Sequence, residues 1–284
     1  MRFRIRHTTT DRYRRPVTLG THRLLLTPRG DHDLRLLARE LECEPEADLE
    51  WMLDVFGNIV ATALFAEPAC ELVIAADILI EQLASEWPVF RIAPGAHSYP
   101  FSYSDDEAAD LGALLCPIHD DENGALILWA KGFVLASPTD TLSLLKDIDA
   151  GITGAVAYRT RDEEGTQSPL RMLSLGSGSC RDIAALFIDA VRHLGFGARA
   201  VSGHLFDPDT TNGGSGGTHA WAEVYLPSAG WIAFDPTHQR VGSANLIPTA
   251  VGRCNGRVMP VTGGYVGSAD DFAQMQVSVL VQPA

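Results

Sequence analysis

The chain has 284 residues, 46% of them hydrophobic, and a formal net charge of −14 with an isoelectric point near 5.0. That length buries one large core or two ordinary ones. The acidic balance argues against a nucleic-acid surface, which rests on clustered Lys and Arg, and no apolar run reaches the roughly 18 residues of a membrane span.

The first residues, Met1-Arg2-Phe3-Arg4-Ile5-Arg6, alternate apolar and charged as an amphipathic strand does. They lack the apolar segment of a secretory signal, so a cytoplasmic location is expected. All eight basic residues among the first 29 are arginine, and strand periodicity predicts that they line a solvent face. Up to about residue 95, apolar runs at Leu24–Leu26, Trp51–Val60, Ala61–Phe65 and Leu72–Ile78 are broken by Gly, Pro and Asp, which predicts short antiparallel strands. Residues 99–106 read as a linker. From 107 the period lengthens toward 3.6 and predicts helices over Ala108–Leu115, Leu126–Leu135 and Asp140–Ala157, the last capped by Ser137, Thr139 or Asp140.

Between Cys180 and Leu194, apolar residues at Ile183, Ala184, Phe187, Ala190, Val191 and Leu194 trace one buried helical face, and Gly195 and Gly197 stop it. Ser179 offers an N-cap, which puts Cys180 in the first turn. The segment Ala198–Leu205, a long loop over Phe206–Thr218, and two strands at about His219–Tyr225 and Trp231–Asp235 follow. The tail from Ile247 ends in a strand, Met275–Val281. Three units are expected: a β-rich domain at 1–98, a core at 99–246, and a C-terminal β return at 247–284 packing on the other two.

Cys180 is placed for acyl transfer. The unpaired N–H groups and dipole of a helix start favour a thiolate, and an imidazolium within reach favours it further. A carboxylate on the other ring nitrogen would fix the tautomer of His219 and stabilise its cation, and Asp235 sits on the returning arm of a hairpin. His219 and Asp235 meet only if they share a face, which a loop over Leu226–Gly230 with Tyr225 opposite Trp231 provides, placing Asp235 opposite Trp221. The backbone N–H of Cys180 is one expected oxyanion donor, and Tyr158, Gln167 and Trp221 are candidates for the second. No HExxH motif or cysteine pair supports a metal, and no organic cofactor is implied. His193, His204 and His238 are assigned structural or exposed roles, while Trp221 and Trp231 suit either a cleft or the hairpin core. Asn212–Gly217 contains G-x-S-x-G, but it precedes a strand instead of opening a helix, so a rim or mobile lid beside the site is expected.

Three stretches together, Gly178-Ser179-Cys180-Arg181-Asp182, Thr218-His219-Ala220-Trp221-Ala222-Glu223-Val224 and Gly230-Trp231-Ile232-Ala233-Phe234-Asp235-Pro236-Thr237, resemble the three boxes of the bacterial transglutaminase-like cysteine peptidases. Arg2–Arg29 resembles the β-rich domain that accompanies that core, and Val251–Tyr265 its C-terminal return. The resemblance implies an α+β fold: a papain-like core with the cysteine helix packed on an antiparallel sheet, and Cys180, His219 and Asp235 as triad. Cys254 departs from the pattern, where an aspartate is expected. The expected activity is thiol-dependent hydrolysis of a peptide or amide bond in a protein or peptide substrate. Acyl transfer to an amine, or a non-catalytic peptide-binding module, are the alternatives. The oligomeric state is not legible.

Overall fold

The computed structural model describes residues 1–161, 163–207 and 217–284. The G-x-S-x-G segment and its lid reading therefore lie outside the described residues, apart from Gly217. Two β-sheets built from residues 2–82 precede a mixed helical and sheet core, so the molecule is α+β.

The N-terminal strands are β1 (Arg2–Leu19), β2 (His22–Leu24), β3 (Leu34–Glu44), β4 (Ala47–Leu53), β5 (Ile59–Phe65) and β6 (Ala69–Gln82). Three of them are far longer than apolar runs suggest. In β1, buried Phe3, Ile5 and His7 alternate with exposed Arg2, Arg4 and Arg6, so charges on the outer face hide the strand without breaking its period. Those arginines pair across to β6: Arg4 and Arg6 reach Asp77, and Arg2 reaches Glu81. The run Trp51–Val60 is split by a turn. Asp54 accepts the backbone N–H groups of Phe56 at 2.9 Å and Asn58 at 3.0 Å, and Gly57 takes the left-handed conformation at φ 71°. Apolar Val55 and Phe56 disguised that turn, Val55 being 93% exposed.

Segment 99–106 is bound to the core. Tyr99 and Phe101 pack on Phe196. The Tyr103 hydroxyl donates to the carbonyl of Tyr225 at 2.8 Å and accepts the N–H of Gly197 at 3.0 Å. Ser104 opens helix α1 (Asp105–Leu111) with a capping box to Glu107. Helix α2 (Ala125–Lys131) ends four residues before Leu135, and α3 (Thr141–Ala155) is capped by Asp140, which accepts from Ser143 N–H at 2.7 Å. A short helix that periodicity did not reveal, α4 (Pro169–Leu175), leads through Gly176 into α5 (Cys180–His193).

The core sheet is antiparallel throughout. Its order is Arg240–Val241, β9 (Gly230–Asp235), β8 (Gly217–Leu226), β7 (Ala198–Leu205) and β10 (Leu246–Gly252). Helix α5 packs on β8 and β7, with Phe187 stacked on Phe234 at 5.3 Å and both fully buried. Burying each ring stabilises by about 1.5–3 kcal/mol. The last strand, β11 (Phe272–Pro283), leaves this core and pairs with β1, Phe3 facing Pro283 and Asp11 facing Met275.

Candidate active site

Cys180 begins α5, and the turn that carries it is held by one buried carboxylate. Asp182 Oδ2 accepts the Ser179 N–H at 2.9 Å and its hydroxyl at 2.8 Å, a reciprocal cap at the helix start. Asp182 Oδ1 takes the Gln167 backbone N–H at 2.7 Å, and Arg161 Nε reaches Oδ2 at 3.0 Å. Asp182 is fully buried while Cys180 remains half-buried, so the anchor is sealed from water more completely than the residue it holds.

The hairpin of β8 and β9 supplies the other two groups. Tyr225 faces Trp231 and Ala222 faces Phe234, the register reasoned from the sequence; pairing continues to Leu226 opposite Gly230, so only Pro227–Ala229 form the loop. His219 Nε2 lies 2.9 Å from Asp235 Oδ2, with His219 6% and Asp235 1% exposed. Nδ1 is left for the thiol, and His219 and Cys180 lie close enough to shift one another's ionisation. Behind the imidazole, Trp221 stacks at 6.0 Å and 22°. Gly203 on β7 faces His219, and a Cβ there would come within 2.1 Å of the Ile247 carbonyl oxygen and 2.9 Å of the indole. Only glycine leaves room for this stack.

Electrostatics follow from this geometry. Burial pushes the Cys180 thiol up, but the hydrogen bond and charge of His219, with the N–H groups of Ala220 and Arg181, outweigh it and the thiol is lowered. Burial opposes the His219 cation too, yet Asp235 and Cys180 raise it to about 9. Burial acts against the Asp235 anion, and hydrogen bonds from His219 and His238 hold it well below the ordinary carboxylate range. The arrangement favours imidazolium between a carboxylate and a thiol whose ionisation it eases.

The structure brings Cys180, His219 and Asp235 together and sets Tyr158 beside them. Tyr158 is 54% exposed, and its hydroxyl is raised first by burial and then by Cys180. Its short segment, Ala157–Tyr158, pairs in parallel with Ser177–Gly178 just ahead of the nucleophile. Gln167 is not brought in: its Nε2 donates to Asp182 Oδ2 at 3.2 Å. Trp221 is 1% exposed, and its indole N–H has no partner among the described residues. Trp231 lies under Arg199 at 4.1 Å, in the hairpin. Cys254 stands behind α5, where it lines a cavity of about 150 Å³ with His119 and Asp189.

Two further residues belong to the site. His238 Nδ1 lies 2.8 Å from Asp235 Oδ2, and Asp149 on α3 is a buried acid raised to about 8 by burial and by the charge of Asp235. Asp149 carried a signal in the sequence, since it falls on the apolar stripe of Leu145, Ile148 and Ile152. His238 carried a weaker one: it follows Asp235 by three residues in a turn closed by His238 N–H to the Asp235 carbonyl at 3.1 Å. His219, Asp235 and His238 present three potential metal-ligand atoms within 4.8 Å of one another, and the hydrogen bonds between them account for the grouping.

Residues 3–81 match the bacterial transglutaminase-like N-terminal region, and residues 129–236 match the transglutaminase-like superfamily. Uncharacterized proteins of Mycobacterium bovis and Mycobacterium tuberculosis are 27% identical over 98% of this chain and 92% of theirs; one of Mycobacterium leprae is 25% identical over 94% of each. A solved structure of a candidate cysteine protease from Cytophaga hutchinsonii superposes with a TM-score of 0.77 at 19% identity, covering 100% of this chain and 91% of that one, which establishes a shared fold. The chain thus joins a segment that matches the bacterial transglutaminase-like N-terminal region to a core that matches the transglutaminase-like superfamily.

Proposed function

We propose that this protein hydrolyses a peptide or amide bond through a thioester on Cys180. The observation that carries the reading is an imidazole that meets a buried carboxylate at 2.9 Å on one side and interacts on the other with the thiol of a half-buried cysteine at a helix start. The thiolate attacks the carbonyl carbon, and the oxyanion is held by the Cys180 N–H with Tyr158 as the nearer side-chain donor. The His219 imidazolium gives its proton to the leaving amine, and the thioester forms. Neutral His219 then takes a proton from water, whose oxygen attacks the thioester; a carboxylic acid leaves and the thiolate returns. Asp235 stabilises the imidazolium and fixes its ring.

The test is cleavage of a proteome-derived peptide library, read as new amino termini by mass spectrometry. The native protein generates them and Cys180→Ala does not; equal cleavage by both overturns the reading. Adding a fluorescent primary amine separates the alternative, because label appearing on acyl fragments in place of free carboxylates would mark aminolysis.

A further inference from the structure

Asp235 serves two imidazoles. Its Oδ2 meets Nε2 of His219 at 2.9 Å and Nδ1 of His238 at 2.8 Å, while Oδ1 accepts the Thr237 N–H at 3.2 Å. An ionised carboxylate only accepts, so both facing ring nitrogens carry protons. The two rings lie 5.1 Å apart at 64°, so their N–H groups approach the same oxygen from different directions. One donor lets a carboxylate swing about the hydrogen bond; two inclined donors and a backbone N–H fix it. The need for such fixing comes from α3, where the buried Asp149 faces the same carboxylate. The turn bearing His238 is tied to that helix as well, through Gln239 and Thr153. His238 itself is only a third exposed, held in place between the turn and the site.

We infer that His238 is a positioning residue for the triad: its Nδ1–H clamps Asp235 Oδ2 in line with His219 and so maintains the ion pair at Cys180. This rests on Cys180, His219 and Asp235 being the reacting group, and it adds a fourth member that acts only through the carboxylate. Either charge state of His238 can donate from Nδ1, so the clamp is a matter of geometry.

The rate of Cys180 alkylation by iodoacetamide tests this without a known substrate, with the exposed Cys70 and Cys116 as internal standards in the same digest. His238→Ala slows Cys180 about tenfold at pH 7, as expected for one lost hydrogen bond to a charged group, and leaves Cys70 unchanged. The alkaline limb of the Cys180 profile, set by loss of the His219 proton, moves to lower pH. His238→Asn, whose amide N–H stands where Nδ1–H stood, keeps the rate within about twofold. His238→Gln places its donor where Nε2 stood and falls with alanine, which gives a second loss variant should alanine fold poorly. Native rates in the alanine and glutamine variants, or an asparagine variant as slow as alanine, overturn the clamp. A different result, native Cys180 reacting no faster than Cys70, removes the nucleophile assignment and the clamp with it.

Discussion

Two buried histidines sit on neighbouring rungs of the core sheet and are shifted in opposite directions. On the β7–β8 ladder, Gly203 faces His219 and His204 faces Thr218, so the two histidines project to opposite sides of the sheet. His204 meets another histidine, His7 of β1, at 3.2 Å, and His7 continues to the Thr9 hydroxyl at 3.0 Å. Burial lowers His7 to about 4, while burial and then His7 lower His204 to about 3. His219 is equally buried but has Asp235 on one side and a thiol on the other, and it is raised to about 9. Burial alone makes a histidine neutral; a buried carboxylate at hydrogen-bond distance reverses the sign. The His7–His204 pair cements the N-terminal sheet to the core, whereas His219 is held as a cation by its carboxylate.

The sharpest way to break this contrast is to remove the carboxylate. Asp235→Asn leaves His219 without a counter-charge, as His204 is, and Cys180 alkylation at pH 7 falls about 10²-fold or more. A fall under about threefold means that the carboxylate does not set the state of His219.

The next effect is read in urea unfolding across pH. Unfolded histidines bind protons below about 6.5 that folded His7 and His204 refuse, so each withdraws stability as pH drops from 6.5 toward 4, by up to about 1.4 kcal/mol per pH unit. Asp149 works in the other direction. It stays protonated in the fold up to about 8, so its contribution is lost as pH rises above the unfolded carboxyl value. His219, raised, loses stability on the alkaline side, whereas Cys180, lowered, acts against that loss. Stability therefore peaks near pH 6.5. Replacing both His7 and His204 by Leu abolishes the acid-side loss; an unchanged acid slope shows that the pair is not neutral in the fold.

The smallest effect is that of Asp149→Asn, which removes one proton from the balance. The decline between pH 6.5 and 8 flattens, and the rise from 4 to 6.5 steepens by about 1.4 kcal/mol per pH unit. Unfolding curves that keep the alkaline decline place the buried proton elsewhere.

Local chemistry made much of this legible beforehand. The α5 stripe, the cap at Ser179 and the parity of the hairpin are short-range rules, and Tyr225 opposite Trp231 follows from loop length alone. What stayed hidden depends on neighbours distant in the chain. Gln167 looked like an amide free to donate until Asp182, fifteen residues on, claimed it. His238 is exposed, as expected, but nothing local says that the turn after Asp235 brings its Nδ1 to the same carboxylate oxygen as His219. Strand lengths in the first domain were underestimated because charged outer faces interrupt apolar runs without interrupting the pleat.

The pairing of Phe3 with Pro283 and its neighbours has a consequence during synthesis. β1 is made about 270 residues before one of its partners, β11. At about 5–20 residues per second, that side of β1 spends tens of seconds with its backbone groups unclaimed. The N-terminal sheet closes only after the transglutaminase-like core has been translated, so the nascent chain is most open to misplaced strand pairing along that edge of β1.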